Sequence, residues 1–176
     1  GQAYPKRSLS QAVRPEMEAL ARETGESVNL AVPLGREALY LDQVEGTKLV
    51  RLFTAPGSRA PLHATGVGKV FLAYLGVPEG LSLTPYTPHT LTRLPDLLRE
   101  LEAVRGRGYA LDKEEKGLGV RCVAAPVFGA SGGVVAALSL SAPASRLSLE
   151  EAHRLAPRVV EAARRASLRL GYTGEV

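Results

Sequence analysis

Apolar residues near the start of the chain recur at the spacing of one helix face. They follow an i, i+4, i+7, i+8 pattern formed by Val13, Met17, Leu20 and Ala21. This pattern predicts a helix over residues 8–23 that is kinked or interrupted near Pro15 and ends at Gly25, because proline disrupts a helix interior and glycine favours its C-terminal end.

The pattern then changes to alternation of apolar and polar residues, which is typical of strands. Two alternating segments flank Gly35-Arg36, and a two-residue loop that begins with glycine suits a tight hairpin. The expected pairs are Leu34 with Glu37, Leu30 with Leu41, and Asn29 with Asp42. One face of this hairpin would be apolar and the other polar. A third strand is predicted over residues 48–54.

The rest of the chain contains three segments in which apolar residues have helical spacing, and two more strand-like segments lie between the second and the third. Helices are predicted over 61–75, from Leu94 to a stop at Gly106 or Gly108, and over 148–170. The last helix opens on a capping box formed by Ser148 and Glu151. Strands are predicted over 119–127 and 134–142. The order of elements indicates an α+β fold, with one sheet and helices packed on it.

The composition is typical of a globular protein and excludes several classes of protein and of metal site. A length of 176 residues suits one domain, with 45% apolar and 23% charged residues. No run approaches the ~20 apolar residues of a membrane span. The single cysteine excludes an intrachain disulfide and a multi-cysteine zinc site, so a reducing cytoplasm is the expected location. The chain begins at Gly1 with no signal-peptide pattern, and we expect a processed or truncated N-terminus.

The net charge of +4 raises the question of a nucleic-acid partner. The positive charge is spread along the chain, and its densest clusters, Arg105-Gly106-Arg107 and Arg164-Arg165, have no interleaved aromatic residues. No pair of short helices suggests a helix-turn-helix. A solvated basic surface is therefore favoured, and this part of the protein is not expected to grip DNA by itself.

The last two strands bring small polar residues to one face of the predicted sheet. If the strands pair symmetrically about residues 128–133, Cys122 lies opposite Ser139 and Val120 opposite Ser141. Opposed residues share a face, so a thiol and two hydroxyls lie there with Ala124 and Ala137. Small side chains under a helix either leave room for a ligand or let the helix sit close. A slip of one residue would remove the pocket.

The segment Thr65-Gly66-Val67-Gly68-Lys69 resembles a phosphate-binding loop but fails its spacing. His63 stands where a glycine is needed, and Val70 replaces the magnesium-binding hydroxyl residue. Two interpretations remain open. The small residues expose backbone N–H groups that bind an anion at a helix start, or the glycines allow tight packing against the sheet.

Catalytic and metal chemistry have weak support. Cys122 lacks an evident base, so a buried inert thiol is favoured over a nucleophile. His63, His89 and His153 are too scattered for metal-ligand spacing. Asp112 follows a strand-like segment and could point inward. We therefore expect no catalytic residue, no metal and no cofactor.

With these segments placed, the chain resembles the effector-binding domain of the IclR family of bacterial transcriptional regulators. The similarity covers about Leu9 to Gly171. The matching segments are residues 24–30, 40–42 with 44–46, 61–65 with 68–69 and 72–73, 106–112 with 114–115, 117–127 (GLGVRCVAAPV) and 136–143 (AALSLSAP).

The resemblance implies a GAF-like sensor fold, with a mostly antiparallel sheet of about six strands and helices on both faces. It implies that residues 1–23 are a linker helix from a missing N-terminal winged helix-turn-helix, that 24–176 form the effector-binding domain, and that DNA is bound only through the missing part. It also implies assembly into a homodimer or homotetramer. The pocket positions that it carries over are Thr65, Gly66, Val67, Asp112, Cys122, Ser139 and Ser141. Gly66 departs from the family, in which many members have alanine, so the ligand's identity is not carried over.

The favoured hypothesis is a sensor for a small organic acid that alters operator binding by the missing domain. A carboxylate would accept hydrogen bonds from backbone N–H groups near Gly66 and from Ser139 and Ser141. Asp112 would accept a hydroxyl of the ligand. The alternatives are a small hydrolase that uses Cys122 and a purely structural oligomerisation domain.

Overall fold

The computed structural model describes residues 4–174, so the chain start at Gly1 and the last two residues of the predicted domain lie outside the described residues. Its elements are α1 (Lys6–Thr24), β1 (Ser27–Leu34), β2 (Glu37–Val44), β3 (Arg59–Pro61), α2 (Gly66–Leu75), α3 (Leu94–Arg107), β4 (Ala110–Lys113), β5 (Val120–Phe128), β6 (Val134–Pro143) and α4 (Leu149–Arg169). The six strands form one sheet in the order β3-β2-β1-β6-β5-β4, and every pairing is antiparallel. The predicted α+β fold is confirmed.

Helices cover both faces of the sheet. On one face, α1 and α4 pack together on apolar residues of β1, β5 and β6 such as Leu30, Val123 and Leu138. On the other face, α2 lies on the sheet and α3 packs on α2, with Phe71 and Leu101 in their core. The predicted hairpin with one solvated face is therefore wrong, because the central strand β1 is buried on both sides over residues 27–32.

The local signals at helix ends are largely confirmed. Gly25 ends α1 in the left-handed conformation, with φ of 75°, and Ser148 and Glu151 form both bonds of the capping box. Both α1 and α4 continue through their prolines. The prediction that α2 begins at residue 61 is wrong, because Thr65 caps the helix by accepting a hydrogen bond from the Gly68 N–H at 3.1 Å.

The strand predicted over 48–54 is wrong, since the third strand is β3. The segment is held by single contacts rather than a ladder: the Ser27 hydroxyl donates to the Leu52 carbonyl at 2.7 Å, and Arg146 donates to the Val50 carbonyl. The side chain of Lys48, at the start of this segment, forms an ion pair with Glu26, with Nζ 2.9 Å from Oε2. Alternating apolar residues such as Leu49 and Phe53 are exposed here instead of paired.

The hairpin register begins as predicted and then shifts. Leu34 pairs with Glu37, but a bulge between Leu30 and Ala31 changes the later pairs. Leu30 faces Asp42 and Asn29 faces Gln43, so the predicted partners Leu41 and Asp42 are wrong. A bulge adds one residue to one strand. Here it brings Gln43 beside Asn29 on the α2 face.

Strands β5 and β6 pair two residues away from the predicted register. The turn closes through a Gly129 N–H bond to the Gly133 carbonyl at 2.8 Å, and an irregularity follows between Val127 and Phe128. Cys122 therefore faces Ser141, and Ser139 faces Ala124. A shift of two residues preserves the face on which each side chain lies. The set of small and polar residues expected on one face is present.

Candidate functional site

Two rows of side chains cross the sheet on its α2 face. One row runs from Asp112 through Cys122 and Ser141 to Ser27, and the other runs from Ala124 through Ser139 and Asn29 to Gln43. Most of these groups are buried, with Asn29 only 1% and Ser139 2% exposed. Buried polar groups are costly unless they are bonded. A polar cluster inside a sheet covered by helices is therefore the strongest candidate site among the described residues.

Hydrogen bonds connect the rows into one network. Gln43 Nε2 donates to Asn29 Oδ1 at 2.7 Å, and Asn29 Nδ2 lies 3.5 Å from Ser139 Oγ and 3.3 Å from Ser141 Oγ. The Cys122 Sγ is 3.1 Å from Ser141 Oγ. The network thus joins four strands, β2, β1, β6 and β5.

The N-terminus of α2 stands over this network. A Cβ added to Gly66 would lie 3.0 Å from Ala124 Cβ and 3.8 Å from Cys122 Cβ, so the helix start rests on the sheet. The first amides of a helix have no partner within it. Of these amides, the Thr65 side chain accepts a hydrogen bond only from that of Gly68. The N–H groups of Gly66 and Val67 are left for another acceptor.

The other predicted positions at this junction have structural tasks. The Thr65 hydroxyl also donates to the Pro61 carbonyl at 2.8 Å, and the Val67 side chain lies in the apolar core beneath α2. Of Thr65, Gly66 and Val67, the last two therefore offer a ligand their backbone N–H groups, while the side chains of Thr65 and Val67 are already engaged. Gly68 is required for close packing, because a Cβ there would lie 2.4 Å from the Leu62 carbonyl oxygen.

Asp112 does point inward, from a tight turn that ends β4. Its Oδ1 accepts the N–H of Glu115 at 2.8 Å, and Glu114 between them has a φ of 60°, in the left-handed region. A non-glycine residue there is uncommon and needs surrounding support. The side chain of Asp112 lies beside Cys122 of the neighbouring strand.

That support comes from a fully buried lysine of α2. Lys69 Nζ lies 2.8 and 3.0 Å from the two carboxylate oxygens of Glu115 and 3.1 Å from Glu100 Oε2. The ion pairs tie the start of α2 to the turn that carries Asp112 and to α3. Sequence inspection of the phosphate-loop-like segment missed this role of Lys69.

Burial sets the ionisation of the site. Desolvation, reinforced by the nearby charge of Glu115, raises the pKa of Asp112 to about 7. Desolvation and the charge of Asp112 raise the pKa of the Cys122 thiol. Desolvation likewise raises the pKa of Tyr40, with contributions from Cys122 and Asp112. Tyr40 of β2 therefore belongs electrostatically to the site, which its sequence context did not indicate.

The arrangement suits binding rather than nucleophilic chemistry. A thiol with a raised pKa is a poor nucleophile at neutral pH. The ring nitrogen Nε2 of His63 lies 2.8 Å from the Thr84 carbonyl, and His153 lies 2.7 Å from the Tyr109 hydroxyl, so both are engaged elsewhere. Within residues 4–174, no three histidine, cysteine or acidic side chains are placed to hold a metal ion. None of the helices in that range is long and apolar enough to cross a membrane.

Comparison with known proteins gives a consistent picture. The family described as bacterial transcriptional regulator IclR, C-terminal, matches residues 2–168. The repressor AllR of Escherichia coli K12 is 39% identical over 97% of this chain and 66% of its own length. The chain spans 62% to 66% of the length of such regulators. These relatives are named as transcriptional regulators and not as enzymes.

Solved structures agree with the fold. The IclR protein of Thermotoga maritima has a TM-score of 0.85 and 34% identity, with 93% of this chain and 69% of that chain covered. The inducer-binding domain of PobR from Acinetobacter, solved as a double mutant in complex with 3-hydroxybenzoic acid, has a TM-score of 0.80 and 25% identity, with 94% and 98% covered.

Proposed function

This chain belongs to the family of IclR C-terminal domains of bacterial transcriptional regulators, and from that premise we propose that it senses a small organic acid. The effector binds beside the start of α2, over the polar rows of the sheet. The carboxylate accepts hydrogen bonds from the backbone N–H groups of Gly66 and Val67 and from the hydroxyls of Ser139 and Ser141.

The observation that carries this proposal is the buried network around Ser139, Ser141 and Asn29. A sheet that served only stability would gain from apolar side chains at these positions, as on its opposite face. The helix start adds donors and a partial positive charge on the side where an anion would lie. The hydroxy acid bound to the PobR domain is a ligand of this chemical type.

The remaining parts of the sensor are proposals of the same kind. Residues 1–23, which include all of α1 but its last residue Thr24, link this domain to an N-terminal winged helix-turn-helix that binds DNA. Residues 24–176 form the effector domain and assemble into a homodimer or homotetramer. The effector changes operator binding by favouring one arrangement of the full regulator, since a ligand shifts an equilibrium only through unequal affinity.

A thermal-shift titration with acetate, glycolate, lactate, benzoate and 3-hydroxybenzoate tests the binding site. Ligand that binds the folded state raises the melting temperature by mass action. We expect at least one acid to stabilise the protein, and Ser139→Ala with Ser141→Ala to weaken its affinity ~100-fold or more, since charge-assisted bonds contribute ~1.5–3 kcal/mol each.

Ser167→Ala is the matched control, because this buried hydroxyl lies on α4 and donates to the Ala163 carbonyl at 2.7 Å, away from the site. It should lower stability and leave the affinity unchanged. Stabilisation by none of the acids would contradict the proposed function and favour a purely structural oligomerisation domain. Equal affinity in the double variant would exclude the serines as ligand contacts.

A further inference from the structure

We propose that Asn29, held in place by Gln43, is a positioning residue that turns the hydroxyls of Ser139 and Ser141 towards the effector as hydrogen-bond donors. The site then selects a carboxylate over an uncharged amide of the same shape. This inference rests on the proposed function and adds to it the origin of the specificity for an acid.

The direction of the hydrogen bonds carries the argument. Gln43 Nε2 donates to Asn29 Oδ1 at 2.7 Å, the shortest contact of the network's side-chain amides. This bond fixes the Asn29 amide so that its Nδ2 faces Ser139 at 3.5 Å and Ser141 at 3.3 Å. Each serine oxygen therefore accepts a hydrogen bond from Asn29 Nδ2.

A hydroxyl that accepts in this way keeps its own proton for another partner. Serine has one O–H donor and two acceptor lone pairs. Ser141 also lies 3.1 Å from Cys122 Sγ, and the thiol, which burial keeps protonated, can donate to the second lone pair of Ser141. With these lone pairs occupied, the protons of Ser139 and Ser141 are left for an acceptor. A carboxylate offers only acceptors, whereas the NH2 of an amide would compete for the same oxygens. Two O–H donors thus discriminate between these groups.

Asn29 and Gln43 are placed for this role by the bulge in β1–β2. Without it, Asn29 would face Asp42, a carboxylate that now accepts instead from the Ser10 hydroxyl of α1 at 2.9 Å. The neutral amide of Gln43 takes its place. The bulge therefore keeps a negative charge away from the serines and supplies a donor to Asn29.

The network also has an open position. Gln43 Oε1 is buried and has no hydrogen-bond partner within residues 4–174. Buried polar atoms in folded proteins are nearly always bonded. Because this oxygen is an acceptor, the group that completes the network there is a donor, such as the hydroxyl of a hydroxy acid, while the carboxylate lies at the serines.

Matched pairs of probes measure the selectivity directly. We would compare glycolate with glycolamide, and 3-hydroxybenzoate with 3-hydroxybenzamide, in wild type, Gln43→Met and Asn29→Leu. The readout is the ratio of carboxylate to amide affinity for whichever pair binds. Gln43→Met removes the donor to Asn29 while Gln43 itself bonds to neither serine, and Asn29→Leu removes the amide without adding charge.

We expect wild type to prefer the carboxylate at least tenfold, and both variants to lower this ratio threefold to tenfold. Ser167→Ala is again the control, because its hydroxyl lies on α4, away from both rows, and donates to the Ala163 carbonyl at 2.7 Å. It should reduce stability without changing the ratio. Because Gln43 is only partly buried, its variant should fold even if Asn29→Leu does not.

The outcomes separate the two proposals. An unchanged ratio in Gln43→Met, with carboxylate binding retained, overturns the role of the amide pair and leaves the sensor function standing. An equal loss of affinity for carboxylate and amide shows a merely structural role and also overturns it. No stabilisation of wild type by any carboxylate overturns the proposed function and this inference together.

Discussion

The two faces of the sheet differ in composition, although alternate residues of the same strands form them. Along β6, Leu138 and Leu140 point to α1 and α4, while Ser139 and Ser141 point to α2. The first face buries an apolar surface, and such burial stabilises by roughly 25 cal/mol per Å². The second buries amides, hydroxyls and a thiol. One face is therefore built mainly for stability, and the other combines an apolar core with polar groups that serve a ligand in the proposed function.

The helices on the two faces differ in the same way. Both α1 and α4 present apolar stripes to the sheet, and the arginines of their ion pairs are exposed, as in Arg154 with Glu150 and Arg169 with Glu16. In contrast, α2 buries the ammonium group of Lys69 completely and approaches the sheet through Gly66. A buried charge requires partners in fixed positions. The α2 face therefore depends on a few specific contacts.

Removal of the buried ammonium group should produce the largest effect. Lys69→Met leaves Glu115 and Glu100 without their main partner, and breaking a buried ion pair typically costs ~3–5 kcal/mol. Urea denaturation should show this loss in the free energy of unfolding. Arg154→Met, which removes an exposed pair, is the control and should cost less than about 1 kcal/mol. If Lys69→Met also cost less than about 1 kcal/mol, the buried ion pairs of α2 would contribute no more to stability than the exposed pairs of α1 and α4.

The ionisation of Asp112 should produce the next largest effect, and it depends on pH. The folded pKa is about 7, above the ordinary 3.8, so between these values the folded state holds a proton that the unfolded state releases. Its contribution to stability is thus full below pH 4 and is lost as pH rises towards 7. At ~1.4 kcal/mol per pKa unit, the loss could reach about 4 kcal/mol.

Asp112→Asn isolates this contribution, because an amide oxygen can still accept the Glu115 N–H. Urea denaturation at several pH values should give equal stabilities near pH 4 and a more stable variant at pH 8. Other carboxylates titrate in both proteins, so only the difference between them is informative. A difference independent of pH would contradict the raised pKa and make Asp112 an ordinary ionised turn residue.

How far the sequence could predict the site depends on what kind of information each residue needs. The alternation of Cys122, Ala124, Ala137 and Ser139 was sufficient to predict a shared face, because the face depends only on odd and even positions. The register error of two residues therefore did not matter. Effector binding by these residues is a separate prediction, which the binding experiments above would test.

Residues whose role depends on distant partners were not predictable. The contribution of Gln43 requires the bulge between Leu30 and Ala31, which no turn residue signals. The burial of Lys69 depends on Glu100 and Glu115, which lie 31 and 46 residues away. Alternation also misled over 48–54, because single side-chain bonds to Ser27 and Arg146 hold that segment out of the sheet.

Adjacent positions of β6 provide the finest test of the contrast between the faces. Leu138 is fully buried against α1 and α4, so Leu138→Ala should cost about 3 kcal/mol through lost apolar contact and a cavity. Ser139→Ala removes one weak 3.5 Å bond, and its effect on the free energy of unfolding should stay within about 1 kcal/mol. Carboxylate binding should change in the opposite order, with loss in Ser139→Ala and retention in Leu138→Ala. If both substitutions lowered stability equally, Ser139 would be a structural residue, since a hydroxyl kept for a ligand contributes little to the fold without one.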